Sequence, residues 1–170
     1  MTLGQRFRKG NMGFDILTLL IAIFIFAAVI FFLYIIQNDV NAEVQADDEI
    51  PQVVKDESQT QTERYVSIFD DGFFFFFVLL WMALIVTSFF IDTHPVFFII
   101  TCMLMFFIVI FAAGMSNYFQ ELVMDEEFAD TIDFPNTFPK IYFVITHLVQ
   151  FTIAIFATTS LALWGKNRTG

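Results

Sequence analysis

Four long apolar runs dominate the chain, at residues 16–36, 73–91, 95–115 and 141–164. Within them apolar residues occupy every helical face and leave no polar stripe, which is the pattern of helices whose solvent is lipid. A spanning helix needs about 20 such residues, rising ~1.5 Å each, to cross ~30 Å of hydrocarbon. The first three runs carry no charge, and the fourth carries one histidine, His147. Helices suit the bilayer because every backbone amide there must find a partner inside the protein. A β-barrel needs alternating apolar and polar residues, and Phe73-Phe74-Phe75-Phe76-Phe77 breaks that rhythm. The pattern predicts an all-α integral membrane four-helix protein, one membrane domain over residues 1–170. A central antiparallel helical hairpin occupies residues 73–115, and two acidic loops, 37–72 and 116–140, lie on one side.

Local signals refine these elements. Asp15 precedes the first span and Asp70-Asp71 the second, where acids suit a helix N-terminus. In the turn at 92–94, Asp92, Thr93 or His94 can cap the amides of the third span, with Pro95 at its first helical position. Pro51 opens a stretch to about residue 69 that reads as a short surface helix. Phe134-Pro135 and Phe138-Pro139 predict an irregular strap skimming the membrane, because a residue before proline prefers extended geometry. Pro139 and Lys140 start the fourth span.

Composition supports the bilayer. Of 170 residues, 58% are apolar, 15% are charged and 26 are Phe. A water-soluble fold of this size leaves too much surface wet to hide that content, and a disordered acidic chain would be poor in aromatics. Basic residues favour the cytoplasmic side of a span. Arg6, Arg8, Lys9, Lys166 and Arg168 stand on one side, against Lys55, Arg64 and Lys140 on the other. The expected orientation puts both termini on the cytoplasmic, or equivalent inner, side. The first span resembles a secretory signal with Val40-Asn41-Ala42 as its cleavage site, but its apolar core is too long, and it reads as a retained anchor. All but Asp15 and Asp92 of the 18 acidic residues fall in the two loops, and the net charge is −10. The loops are therefore either simply solvated or a surface for a basic protein or divalent cations. They are unsuited to nucleic acid, whose phosphates need Lys and Arg.

Candidate chemistry is sparse. His147 and Gln150 share a face of the fourth span and read as an interhelical polar contact that fixes packing; the alternative is a proton relay or pore lining. His94 and His147 lie too far apart in this topology to share a metal. Asp39-Val40-Asn41-Ala42-Glu43 mimics the start of a calcium loop but lacks its central Gly and its closing Glu. There is no Gly-rich phosphate cradle and no nucleophile–base set. The expectation is therefore no catalytic, cofactor or metal site, and no enzyme activity. Cys102 reads as a packing residue, Trp81 as one lodged between helices, and Trp164 and Tyr142 as interfacial rings. Ala27, Ala28, Ala112, Ala113, Gly114, Ala154 and Ala157 permit close helix approach, within the bundle or in a homo-oligomer.

Four strings carry a resemblance: Ile91-Asp92-Thr93-His94-Pro95-Val96-Phe97-Phe98, Ser116-Asn117-Tyr118-Phe119, Phe138-Pro139-Lys140 and Leu161-Ala162-Leu163-Trp164-Gly165-Lys166. Over residues 73–166 the chain resembles small multi-span membrane proteins of tailless, membrane-containing icosahedral phages and related environmental viruses. The resemblance implies a structural component of a virion membrane, its acidic loops meeting a capsid shell. It transfers no functional residue. Two other readings stay open: a holin-like or channel-forming protein, and an accessory subunit of a cellular membrane complex.

Overall fold

The computed structural model describes residues 12–89, 95–129 and 132–169. They are helical almost throughout: α1 Met12–Ala46, α2 Gln52–Ser88, α3 Pro95–Val123, α4 Glu126–Ala129, α5 Phe134–Thr137, α6 Pro139–Thr146 and α7 Leu148–Thr169. Four of these helices are long and apolar enough to cross a membrane. The fourth span is made of α6 and α7, interrupted at His147, whose backbone leaves helical geometry at φ −105 and ψ 21.

The four spans form a bundle. α1 packs against α2 and α3, and the fourth span packs against the same two. The second and third spans are therefore not close neighbours: each packs mainly on α1 and the fourth span, so the packed antiparallel hairpin expected over residues 73–115 does not form among the described residues. Both flanks of α2 are already taken, by Phe26 of α1 stacked on Phe73 at 5.9 Å and by α6 and α7. Pro95 does begin α3. Asp92, Thr93 and His94 lie outside the described residues.

While the apolar half of α2 buries only Phe73, Phe77 and Ser88, α1, α3 and the fourth span bury residues at alternating steps of three and four. On α1 these are Ile16, Leu20, Ile23, Ala27 and Ile30; on α3, Met105, Ile108, Ala112, Met115 and Phe119. On the fourth span they are Ile141, Ile145, Leu148, Thr152, Ile155, Thr159 and Ala162. That 3.5-residue repeat is the knobs-into-holes seam of left-handed helix packing. The five-Phe run divides accordingly: Phe73 and Phe77, four apart, are buried, while Phe74, Phe75 and Phe76 face outward. The hydroxyls of Thr152 and Thr159 are satisfied within their own helix, on the carbonyls of Leu148 and Ile155 at 2.7 Å. Trp81 sits between helices as expected, its Nε1 donating to Thr158 Oγ1 of α7 at 3.1 Å.

Residues 37–72, expected as a loop, are instead a helical hairpin. α1 runs on to Ala46, the reversal takes only residues 47–51, and α2 begins at Gln52. The surface helix expected after Pro51 exists and continues without a break into the second span. Two causes act together. Gln37–Ala46 holds no Gly or Pro to stop the helix. The two helices also grip one another through polar pairs: Gln37 Nε2 to Thr62 Oγ1 at 3.4 Å, Ser58 Oγ to Asn41 Oδ1 at 2.8 Å, and Gln45 Nε2 to the Lys55 carbonyl at 2.8 Å. At the reversal, Asp47 Oδ1 accepts from the Glu49 amide at 2.8 Å. α2, at 37 residues and ~1.5 Å per residue, is about 55 Å long, well beyond a ~30 Å hydrocarbon core. The hairpin thus extends past the bilayer as a stalk.

The second expected loop is also shorter. α3 continues to Val123, and residues 132–138 pack inward against the middle of α1, at Phe31 and Tyr34, and the end of α3, at Phe119. Phe134 and Phe138 are fully buried, and Phe31 meets Phe119, Phe128 and Phe134 edge-on at 6.4, 5.5 and 5.3 Å. Edge-to-face contacts of this kind add to the energy of burial. Phe134→Ala should cost about 3 kcal/mol or more, the usual scale for emptying a buried aromatic site. Reversible unfolding of the detergent-solubilised protein measures it, and a change below about 1 kcal/mol would show that the strap is not part of the core.

Candidate functional site at the acidic face

Where α2 leaves the bundle, two adjacent carboxylates meet the start of the fourth span. α6 begins at a proline. Pro139 has no amide hydrogen, and the N-cap residue Phe138 supplies no side-chain cap. The amides of Lys140 and Ile141 therefore need acceptors from elsewhere. Asp70 provides them: its Oδ1 accepts from Lys140 N at 3.0 Å and from Ile141 N at 2.9 Å, and its Oδ2 lies 3.3 Å from Lys140 N. Asp70 is only 5% exposed. It acts as the N-cap of a helix 70 residues away, and its negative charge suits the positive end of the helix dipole. Its neighbour Asp71 forms an ion pair with the Lys140 ammonium. The hydrogen bond that Lys140 donates to Asp71 raises the lysine's pKa from the ordinary 10.5; partial burial opposes this, and the charges of Asp71 and Asp70 add to the rise.

This corrects the reading of Asp70 and Asp71 as acids at the start of the second span. They lie in the middle of α2, which starts at Gln52, and Asp70 caps the fourth span. The sequence signal was Pro139 at a helix start with Phe138, which has no capping oxygen, at the position immediately before it, which leaves the cap to another residue.

His147 and Gln150 share a face, as their spacing requires, but that face is exposed and points away from the buried stripe Ile141, Ile145, Leu148 and Thr152. Among the described residues the expected interhelical contact does not form. The Nδ1 of His147 lies 2.9 Å from the Phe143 carbonyl and 3.1 Å from Thr146 Oγ1, both on the last turn of α6 just before it. The interhelical polar contact at this level belongs to Ser116 of α3, which donates to the Thr146 carbonyl beside the interruption at 3.3 Å. Gln120 Nε2 in turn donates to Ser116 Oγ at 3.2 Å. Asp39-Val40-Asn41-Ala42-Glu43 is continuous helix and not a calcium loop, and no group of three ligating side chains able to hold a metal is found among the described residues. Cys102 is half-buried in α3.

An open apolar groove of about 600 Å³ lies between α1 and α3, lined by Phe24, Ile110, Gly114 and Tyr118 among others. Its walls are almost wholly apolar and suit hydrocarbon. No protein-family model, curated protein or solved structure matches the chain.

Two outcomes follow from the carboxylate pair. Asp70→Ala leaves two helix-start amides without their acceptor and should destabilise the bundle by about 2 kcal/mol, while Asp70→Asn, which keeps one acceptor oxygen, should lose less than half of that. Thermal unfolding in detergent compares the two, and equal losses would show that the hydrogen bonds to Asp70 are immaterial. The Lys140 pair carries a pH signature. Because its pKa is raised on folding, its contribution is complete below the ordinary lysine value and fades as pH rises through the folded value. The difference in melting temperature between wild type and Lys140→Met should be constant through neutral pH and close above about pH 10.5. A difference unchanged at that pH would exclude the ion pair.

Proposed function

We propose that the protein is a non-catalytic structural component of a membrane, holding a stiff acidic helical hairpin over one face of the bilayer to dock a protein neighbour. The observation that carries this reading is the form of the acidic segment. Residues 37–71 are two locked helices continuous with the membrane bundle, and Asp70 ties one of them to the fourth span. A solvating loop needs no such construction. A rigid projection with outward-facing Asp39, Glu43, Asp56, Glu57 and Glu63 presents fixed negative charge to a basic surface.

The resemblance at residues 73–166 supports the setting: a virion membrane, with the stalk reaching toward the capsid shell. A bundle interior filled by Ile, Leu and Phe, such as Leu20, Ile23, Phe77 and Ile108, supports a scaffold better than a water-lined channel. An accessory subunit of a cellular complex would use the same stalk.

The test is made on purified particles. A photo-crosslinker at Gln59, exposed on the stalk, should capture one defined basic shell protein in intact virions, and the capture should weaken at high salt. Absence of the protein from virions, or toxicity and depolarisation when it is expressed alone, would contradict the reading.

A further inference from the structure

The stalk is built with its polarity reversed. Beyond Tyr34 the seam between α1 and α2 is polar, made by Gln37, Asn41 and Gln45 against Thr62, Ser58 and Lys55. Ile35 and Val44 are half-buried there, but a stripe of apolar side chains of α1 points outward: Leu33, just before Tyr34, is 43% exposed, Ile36 60% and Val40 48%. With Val29 at 45% they fall at steps of four, three and four, the rhythm of the buried stripes within the bundle.

Depth separates this stripe from the lipid-facing surface. Phe26 with Phe73 and Gln37 with Thr62 keep one antiparallel register along the hairpin, which sets Asp70 level with Val29. At that plane Asp71 and Lys140 are exposed charges, and they mark the edge of the hydrocarbon. Val40 stands eleven residues farther along α1, about 16 Å at ~1.5 Å per residue. The headgroup layer adds only about 5–8 Å on each side. On this register the first span leaves the hydrocarbon near Val29, earlier than the expected residue 36, so Ile36 and Val40 are apolar residues facing outward beyond the bilayer core, and Val40 clears the headgroups as well.

Charge decides the occupant. Asp39 and Glu43 are exposed beside Ile36 and Val40 on the same helix, and among the stalk's described residues only Lys55 and Arg64 are basic. Lys55 is engaged, its Nζ donating to the Gln45 carbonyl at 2.9 Å. A second copy would bring the same acids against these, at an electrostatic cost. A helix carrying Leu or Ile on one face and Lys or Arg beside it fits both features.

We propose that Leu33, Ile36 and Val40, flanked by Asp39 and Glu43, form a docking seam for a basic amphipathic helix of another protein. The proposal rests on the docking role of the stalk and names the contact that performs it.

The test uses the full-length protein in nanodiscs of zwitterionic lipid, with a designed Leu/Lys amphipathic helix as probe and empty nanodiscs as the blank. Wild type should bind the probe more tightly than the blank does. Ile36→Ser with Val40→Ser should weaken that binding about tenfold or more, as expected from removing two apolar anchors. Asp39→Asn with Glu43→Asn should flatten its salt dependence. A nitroxide on Val40→Cys should collide with a water-soluble relaxation agent, and the probe should shield it. Equal binding by wild type and the serine variant would overturn the proposal. So would a nitroxide accessible only to oxygen in the lipid phase, or a spontaneous Val40→Cys cross-link between copies. Loss of probe binding in the serine variant, with particle incorporation and the Gln59 cross-link intact, would refute this seam as the contact while leaving the docking role standing.

Discussion

A helix that begins with proline inside or at the edge of a bilayer has a specific need. Its first residue has no amide hydrogen, its next amides have no intrahelical acceptor, and water is too scarce to substitute. In this protein the need is met by one carboxylate, Asp70, reaching from α2 to the amides of Lys140 and Ile141. The consequence is architectural. α2 is a single 37-residue helix that serves both the membrane bundle and the stalk. Fixing its midpoint to the start of the fourth span therefore fixes the stalk to the bundle. The strap residues before Pro139 are held by the same junction, with Phe138 meeting Tyr34 edge-on at 5.0 Å.

Below that junction the bundle follows the ordinary logic of lipid-embedded helices: mostly apolar, with a few buried hydroxyls such as Thr152 and Thr159, and with packing rather than polarity deciding which residues face inward. Above it the logic inverts. Polar side chains pair across the α1–α2 seam, and several apolar ones, Ile36 and Val40 among them, look outward. Exposed apolar groups in water are unfavourable unless covered, so the inversion is a physical reason to look for a neighbour at the stalk.

The spans and the all-α class were legible because apolar runs of spanning length have few alternatives. Which face of each span turns inward was not: when every position is apolar, periodicity carries no contrast, and the stripe Ile16, Leu20, Ile23, Ala27, Ile30 emerges only from packing. The stalk was hidden for the opposite reason. Acids in 37–72 read as a solvated loop, while the helix is held by polar pairs such as Asn41 with Ser58, which hydropathy cannot detect. The partner of Asp70 was beyond reach because no local rule joins residues 70 apart in sequence. His147 and Gln150 show the limit of a helical spacing argument: it placed them on one face and left open which way that face points.

The junction can be observed directly in the folded protein. Nuclear magnetic resonance couplings across hydrogen bonds, recorded on isotope-labelled protein in a bilayer, should connect the Lys140 and Ile141 amide nitrogens to the side-chain carboxyl carbon of Asp70. Those two amides should also exchange slowly with solvent. No coupling to Asp70, together with rapid exchange at both amides, would contradict the account.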